Sequence, residues 1–204
     1  RTAAGYGSHI LTSTQVVDFL KDGDKVVGVK AVCTESGRRI EVRSSCVINA
    51  TGVWTDDVEQ LAHDNTTETS QKKVRSSKGV HLVVPRDRIK SSTGLVSRTE
   101  KSVLFIIPWS DHWIIGTTDT DWDLDRAHPA ATSNDISYLL KRVNELLENK
   151  LDTNDIQGVY VGLRPLLTGE SNDTAKLSRE HHVFHPTPGV VSIAGGKYTT
   201  YRVM

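Results

Sequence analysis

The sequence predicts an α/β protein interrupted by an antiparallel α+β insertion, and three observations carry that reading. Two nearly apolar runs, CVINATG near the start and GVVSIAGG near the end, each stop at glycine, as strands buried in a parallel sheet do. Between them, VRSSKGVHLVVP and SVLFIIPWSDHWIIGTTD alternate at the strand period. A single stretch after Ser133 repeats its apolar residues at the helical period. The 204 residues suffice for one large domain or two small ones, with 25 Lys and Arg against 25 Asp and Glu. That balance points to neither nucleic acid nor a membrane surface as the partner.

Along the chain, residues 9 to 51 hold four short runs, HILTSTQVVDFL, KVVGVKAVC, RRIEVR and SCVINAT, separated by turn-forming residues. They read as a meander whose last member differs, being nearly all apolar at Val47, Ile48 and Ala50 and followed at once by Gly52. A strand that ends in glycine and feeds the helix-like TDDVEQLAH marks the usual α/β ligand position, outside the carboxyl end of the strand. VRSSKGVHLVVP is a strand, and SVLFIIPWSDHWIIGTTD a hairpin turning at Trp109 to His112. KSSTGLVSRTEKS reads as a solvated loop. Ser133 is placed to cap a helix with Asp135 in its first turn and Ile136, Leu139, Leu140, Val143, Leu146 and Leu147 on one face. DIQGVYVGLRPLL is a further strand, expected to stop at Pro165. In the final AGGKYTTYRVM, Gly195 and Gly196 admit a sharp turn and close approach to a flat partner, with Thr199 or Thr200 capping a following helix.

Cys33 and Cys46 lack C-x-x-C spacing and read as reduced structural thiols. RTAAGYGSHI is not a signal peptide, and no apolar run reaches the roughly 20 residues that cross a bilayer. The expected location is therefore cytoplasmic.

Three basic groups stand beside glycine or proline at strand ends. His81 follows Lys78 and Gly79; an alternating-strand histidine is, in isolation, more often a packed residue than a base. Arg164, between Gly162, Leu163 and Pro165, offers a rigid fork for phosphate or carboxylate, against the plainer role of pairing a surface acid. Lys197 follows the glycine pair. Two apparent metal sites do not qualify. Asp119 to Asp125 resembles a calcium loop, but Leu124 stands where the turn glycine belongs and Ala130 where the closing glutamate belongs. His181, His182 and His185 lie in a stretch whose β-branched and aromatic residues and Pro186 oppose a ligating helix, so no metal is expected.

Taken together, INATGVW, SKGVHLVVP, FIIPWSDHWIIGTTDTDW, VYVGLRPLL with GES, and AGGKYTTYR resemble FAD-dependent glycerol-3-phosphate dehydrogenases over essentially the whole chain. The resemblance implies part of a glutathione-reductase-like FAD domain (1–68 and 188–204) plus an antiparallel-sheet substrate domain (69–187) of the D-amino-acid-oxidase type. It implies FAD as cofactor and oxidation of sn-glycerol 3-phosphate to dihydroxyacetone phosphate, with quinone or oxygen as electron acceptor and peripheral contact at the inner face of the membrane. Residues 50–52 (Ala50, Thr51, Gly52), with Trp54, Gly195, Gly196, Lys197, Thr199 and Thr200, would border the cofactor. His81, Arg164 and Lys197 would be catalytic and bind the substrate with Thr118, converging on one anionic pocket. Trp109, Thr117, Thr118 and Asp119 either line the pocket or merely pack and turn. The family's G-x-G-x-x-G turn after a first strand has no counterpart, since Gly5-Tyr6-Gly7 precedes the first strand. The chain is therefore expected to be an internal fragment, inactive alone and unable to hold FAD by itself. The rival readings are a redox-free module that binds phosphorylated ligands and an FAD-dependent amino-acid or amine oxidase, in which Arg164 would pair with a carboxylate.

Overall fold

In the computed structural model, residues 1–62, 73–99, 103–168 and 180–204 are described. The ends of the TDDVEQLAH and KSSTGLVSRTEKS stretches, the GES that follows VYVGLRPLL, Arg179, and the expected domain boundary at 68/69 lie outside them. After one helical turn at Thr2–Gly5 (α1), β1 (Thr14–Asp22), β2 (Lys25–Cys33) and β3 (Arg39–Arg43) form an antiparallel meander in that order. β4 (Val47–Asn49) leaves the meander, leads through a 3-10 turn into α2 (Thr55–Gln60), and pairs in parallel with the late strand β12 (Val190–Gly195). β11 (His181–Phe184) lies on the other side of β12.

The second sheet holds β5 (Val74–Pro85), β6 (Leu95–Arg98), β7 (Val103–Trp109), β8 (His112–Gly116), β9 (Thr120–Asp121) and β10 (Gly158–Leu167). Its order is β10-β5-β8-β7-β6, with β9 also on β5. α3 (Ser133–Asn144) covers one face. Among the described residues, contacts group the chain into two compact units, Arg1–Gln71 with His182–Ala194 and Lys72–His181 with Gly195–Met204. Residues after Ala194 thus group with the antiparallel sheet, whereas their sequence pattern suggests the outer segments.

The six-stranded sheet owes its two faces to the alternation along β5. Val80, Leu82 and Val84 are fully buried with Leu104, Ile106, Trp113 and Ile115, against Leu139, Leu140 and Val143 of α3. Each such side chain contributes roughly 1.5–3 kcal/mol by leaving water. The intervening His81 and Gly79 are thereby turned to the opposite face. In the first unit a smaller core joins Phe19, Val26 and Val190, with Val47 and Val58 packed on it.

Several local expectations are corrected. Thr132, not Ser133, is the helix cap: its hydroxyl accepts from the Asp135 amide at 3.3 Å while the Asp135 carboxylate accepts from the Thr132 amide at 2.8 Å. Leu146 and Leu147 lie beyond the last helical residue, Asn144. Leu95–Arg98, expected in a loop, form β6 along β7. Ile48, expected to be buried on both faces, is 69% exposed: among the described residues no layer covers its face of β4.

Pro165 does not end its strand. It stands opposite Ser76, whose carbonyl accepts the Trp122 amide on the far side of β5. Pro165 and Ser76 are therefore a non-hydrogen-bonded pair, and the missing N–H falls on the outer margin of β10, where a strand tolerates proline.

β5 and α3 are joined by an ion pair as well as by packing. Lys78 Nζ donates to Asp135 Oδ2 at 2.7 Å and to the Ala130 carbonyl at 3.3 Å. Both charged side chains are only 5% exposed. Burial pushes the Asp135 carboxyl up, but the hydrogen bonds from Lys78 and from Thr132 outweigh it and hold the group below its ordinary range. Asp135 thus caps α3 and neutralises Lys78 at once. Asp135→Leu leaves Lys78 buried and unpaired, so it is expected to cost about 3–5 kcal/mol in denaturant unfolding, with Lys78→Met/Asp135→Leu recovering most of the loss.

Candidate active site

The face of the six-stranded sheet turned away from α3 carries the polar groups. Directly opposed pairs along β5 and β10 are Ser77 with Arg164, Gly79 with Gly162, and His81 with Tyr160. On the other side of β5, His81 also faces Gly116 of β8. The His81 and Tyr160 rings stack with centroids 4.7 Å apart and planes inclined by 9°. A Cβ on Gly116 would lie 2.4 Å from the imidazole Cδ2, so the ring lies flat on bare backbone. His81 Nδ1 is enclosed and has no hydrogen-bond partner among the described residues. Burial, reinforced by the positive charge of Arg164, lowers the imidazole pKa below its ordinary value. His81 is therefore neutral at pH 7 and able to accept a proton.

Arg164 folds across the same face. Its Nη2 donates to Thr117 Oγ1 at 2.8 Å and its Nη1 to the Thr118 carbonyl at 3.2 Å. A Cβ on Gly79 would lie 2.4 Å from Nη2, so the guanidinium occupies the space above that glycine. Those two bonds fix the plane of a rigid fork whose charge reaches the His81 ring.

The structure thus brings His81 and Arg164 together on one face, but it does not bring every expected residue to them. Thr118 is only 3% exposed. Its hydroxyl accepts the Val80 amide at 3.1 Å and faces the Lys78 carbonyl at 3.5 Å, so the part of Thr118 that serves the site is its carbonyl. Lys197 is exposed beyond β12, and no described hydrogen bond joins it to His81 or Arg164. The expected convergence of three basic heads is accordingly seen for two of them. Thr200 does not cap a helix ahead of it. Lys197 is the cap position of the 3-10 turn Tyr198–Thr200, and Thr200 Oγ1 accepts its amide at 3.3 Å, with Thr199 exposed in the same turn.

The glycine pair has an internal cause. Gly195 and Gly196 have φ of +76° and +75°, and a Cβ on Gly195 would approach the Glu180 carbonyl to 2.4 Å. In the first unit, Ala50 and Thr51 are exposed past β4, Gly52 turns with φ +62°, and half-exposed Trp54 follows. The Thr51 hydroxyl donates to Asn49 Oδ1 at 2.7 Å.

Sequence reasoning missed Tyr160 and the steric roles of Gly79 and Gly116, and left Thr117 between lining the pocket and packing. A signal was present for Tyr160, four residues before Arg164 and so on its face of the strand. None was present for the glycines, whose roles depend on strands paired across the sheet.

A model of the DAO family, FAD dependent oxidoreductase, matches residues 1–202. The chain belongs to the FAD-dependent oxidoreductase family. The chain is 60% identical over all its 204 residues to glycerol-3-phosphate dehydrogenase 2 of Mycobacterium tuberculosis (strain ATCC 25618 / H37Rv), covering 34% of that protein. It is 37% identical to the mitochondrial glycerol-3-phosphate dehydrogenase of Bos taurus, with all of this chain and 29% of that protein covered. The crystal structure of glycerol-3-phosphate dehydrogenase from Bacillus halodurans complexed with FAD superposes with a TM-score of 0.82 at 32% identity, over 98% of this chain and 38% of that one. The chain therefore spans about a third of the length of the curated relatives it matches.

The strand ends fit a flavin cofactor. β4 and β12 are parallel neighbours, with Val191 beside Ile48 and Ser192 beside Asn49, so their carboxyl ends open on one edge of the sheet. Gly52, turned to positive φ just after β4, stands at such a carboxyl end, which is where α/β folds receive ligands.

The two glycines under the basic groups differ in what they exclude. A Cβ on Gly116 meets the Val80 carbonyl at 2.8 Å as well as the His81 ring, whereas the three atoms nearest one on Gly79 all belong to the movable end of Arg164. Thermal melting is expected to show Gly116→Ala destabilised by about 1–3 kcal/mol. Gly79→Ala should melt near the parent temperature, because the group its methyl displaces is the end of a flexible side chain.

Proposed function

We propose that this chain supplies the substrate face of an enzyme that oxidises sn-glycerol 3-phosphate to dihydroxyacetone phosphate. The observation that carries the reading is a neutral, half-buried His81 held beside the fixed guanidinium of Arg164 on one open sheet face. The relatives named glycerol-3-phosphate dehydrogenase support the choice of substrate.

The reaction needs a base for the C2 hydroxyl, a cationic seat for the phosphate, and an acceptor for the hydride that leaves C2. FAD, when bound, supplies the acceptor; Ala50, Thr51, Gly52 and Trp54 after β4, with Gly195, Gly196, Lys197, Thr199 and Thr200 after β12, are the residues that would border it. His81 takes the hydroxyl proton at Nε2, since Nδ1 is enclosed by the sheet. As that proton leaves, the C2–O bond becomes the carbonyl of dihydroxyacetone phosphate. Tyr160 keeps the imidazole from rotating out of the plane it shares with the stack. Arg164 receives the phosphate, its fork steadied by Thr117 and by the Thr118 carbonyl.

The electron acceptor, quinone or oxygen, and a cytoplasmic location with contact at the inner membrane face are proposed on the family resemblance alone. Among the described residues no helix is long and apolar enough to cross a membrane.

Steady-state kinetics of the full-length enzyme test the assignment. His81→Asn should lower kcat by about 10²–10⁴ with little change in KM, whereas Arg164→Lys should act chiefly through KM. The acid limb of kcat/KM should lie below the ordinary imidazole value of about 6.5, because burial and Arg164 both disfavour the protonated ring. Arg164→Gln removes one of those two causes, so its acid limb should move upward. A limb that stays put, or a His81→Asn enzyme at full kcat, would reject His81 as the base.

A further inference from the structure

Three glycines floor the face that carries His81 and Arg164, and two of them are explained by their neighbours. Gly116 admits the imidazole and Gly79 admits the guanidinium, since a Cβ on either would overlap those groups. Gly162 has no such cause. Its φ lies outside the left-handed region, so its backbone conformation does not demand glycine. No described atom lies within 4 Å of a Cβ built on it, so packing among the described residues does not demand glycine either. Within a strand, a glycine without such a reason is a net cost, because it loses more chain entropy than any other residue and packs no side chain.

The position of this bare backbone is telling. Gly162 and its partner Gly79 form the opposed pair between Ser77–Arg164 on one side and His81–Tyr160 on the other. Successive positions on one strand face are about 6.5–7 Å apart, and Gly162 is exposed. The stacked Tyr160 and His81 rings make one wall. The Arg164 side chain, bent back over Gly79, makes the other. Between those walls the space over Gly162 is open, with no described atom within 4 Å of a Cβ built there.

We propose that Gly162 is a specificity-determining position, whose missing side chain leaves the floor on which the carbon chain of a small phosphorylated polyol lies between His81 and Arg164. The inference rests on the reading of His81 and Arg164 given above and adds to it the residue that sets the size of what fits between them. A methyl group at 162 narrows the gap, and an isopropyl group closes it. The methyl group leaves the guanidinium in place, because no described atom lies within 4 Å of a Cβ at 162, whereas one on Gly79 would meet Nη2 at 2.4 Å.

The test uses full-length holoenzyme and two probes measured by calorimetry. Dihydroxyacetone phosphate spans the whole gap without being turned over, and inorganic phosphate occupies the Arg164 end alone. Gly162→Val is expected to weaken dihydroxyacetone phosphate binding by about 10- to 200-fold and Gly162→Ala by a smaller factor, in line with the discrimination a few methyl groups provide in a pocket. Inorganic phosphate should bind all three proteins equally, and the melting temperature and flavin content should be unchanged. Should Gly162→Val fail to fold, the Gly162→Ala protein decides, since one methyl group enters open space. Unchanged dihydroxyacetone phosphate affinity in both variants overturns the proposal while leaving the assignment of Arg164 standing. So does a drop in melting temperature or flavin content in Gly162→Ala, which would make the glycine structural. A parent enzyme that binds neither probe rejects the functional reading itself, and the two failures are thereby told apart.

Discussion

Burial of Val80, Leu82 and Val84 against α3 decides which way His81 points. In a strand the two faces are strictly coupled, so committing the even-numbered residues of this segment to the core commits Gly79 and His81 to the opposite surface. A shift of one residue would drive the imidazole into the apolar layer and expose three aliphatic side chains. The register is held further by Lys78, which lies on the core side and is neutralised there by Asp135. The chemistry on one face is therefore a by-product of the packing on the other.

The same sheet shows how a sparse set of side chains acquires definite properties. His81 is shielded without a hydrogen bond at Nδ1 among the described residues, which favours the uncharged ring, and the nearby guanidinium works in the same direction. Arg164 in turn is steadied by the Thr117 hydroxyl and the Thr118 carbonyl, which follow β8. Base and cation are adjacent, yet each keeps the protonation state its proposed task requires.

Much of this is legible in the sequence. The alternation in VRSSKGVHLVVP and GVYVGLRPLL identifies the two strands, and the bracketing of Arg164 by Gly162 and Pro165 singles it out by pattern alone. The parallel character of β4 is readable from its apolar run and terminal glycine, and β12 is its observed neighbour. Contacts between strands distant in sequence are not legible, because one chain read alone carries no register between β5, β8 and β10. Thr118 illustrates the limit. A hydroxyl in GTTD suggests a ligand contact, but strand pairing turns that hydroxyl to the Val80 amide and leaves the main-chain carbonyl facing Arg164. Pro165 illustrates another: proline usually closes a strand, but a non-hydrogen-bonded place on an outer margin carries no such penalty.

That proline also has a bearing on how the protein behaves in a crowd. β10 is the outermost strand of its sheet among the described residues, and an outermost strand ordinarily presents an unbroken row of amides onto which a foreign strand can zip. Pro165 interrupts the row beside Arg164, where the exposed main chain would otherwise recruit a stray neighbour. Among the described residues, Pro165 thus removes one outward-facing amide from that row, next to the position that carries the guanidinium.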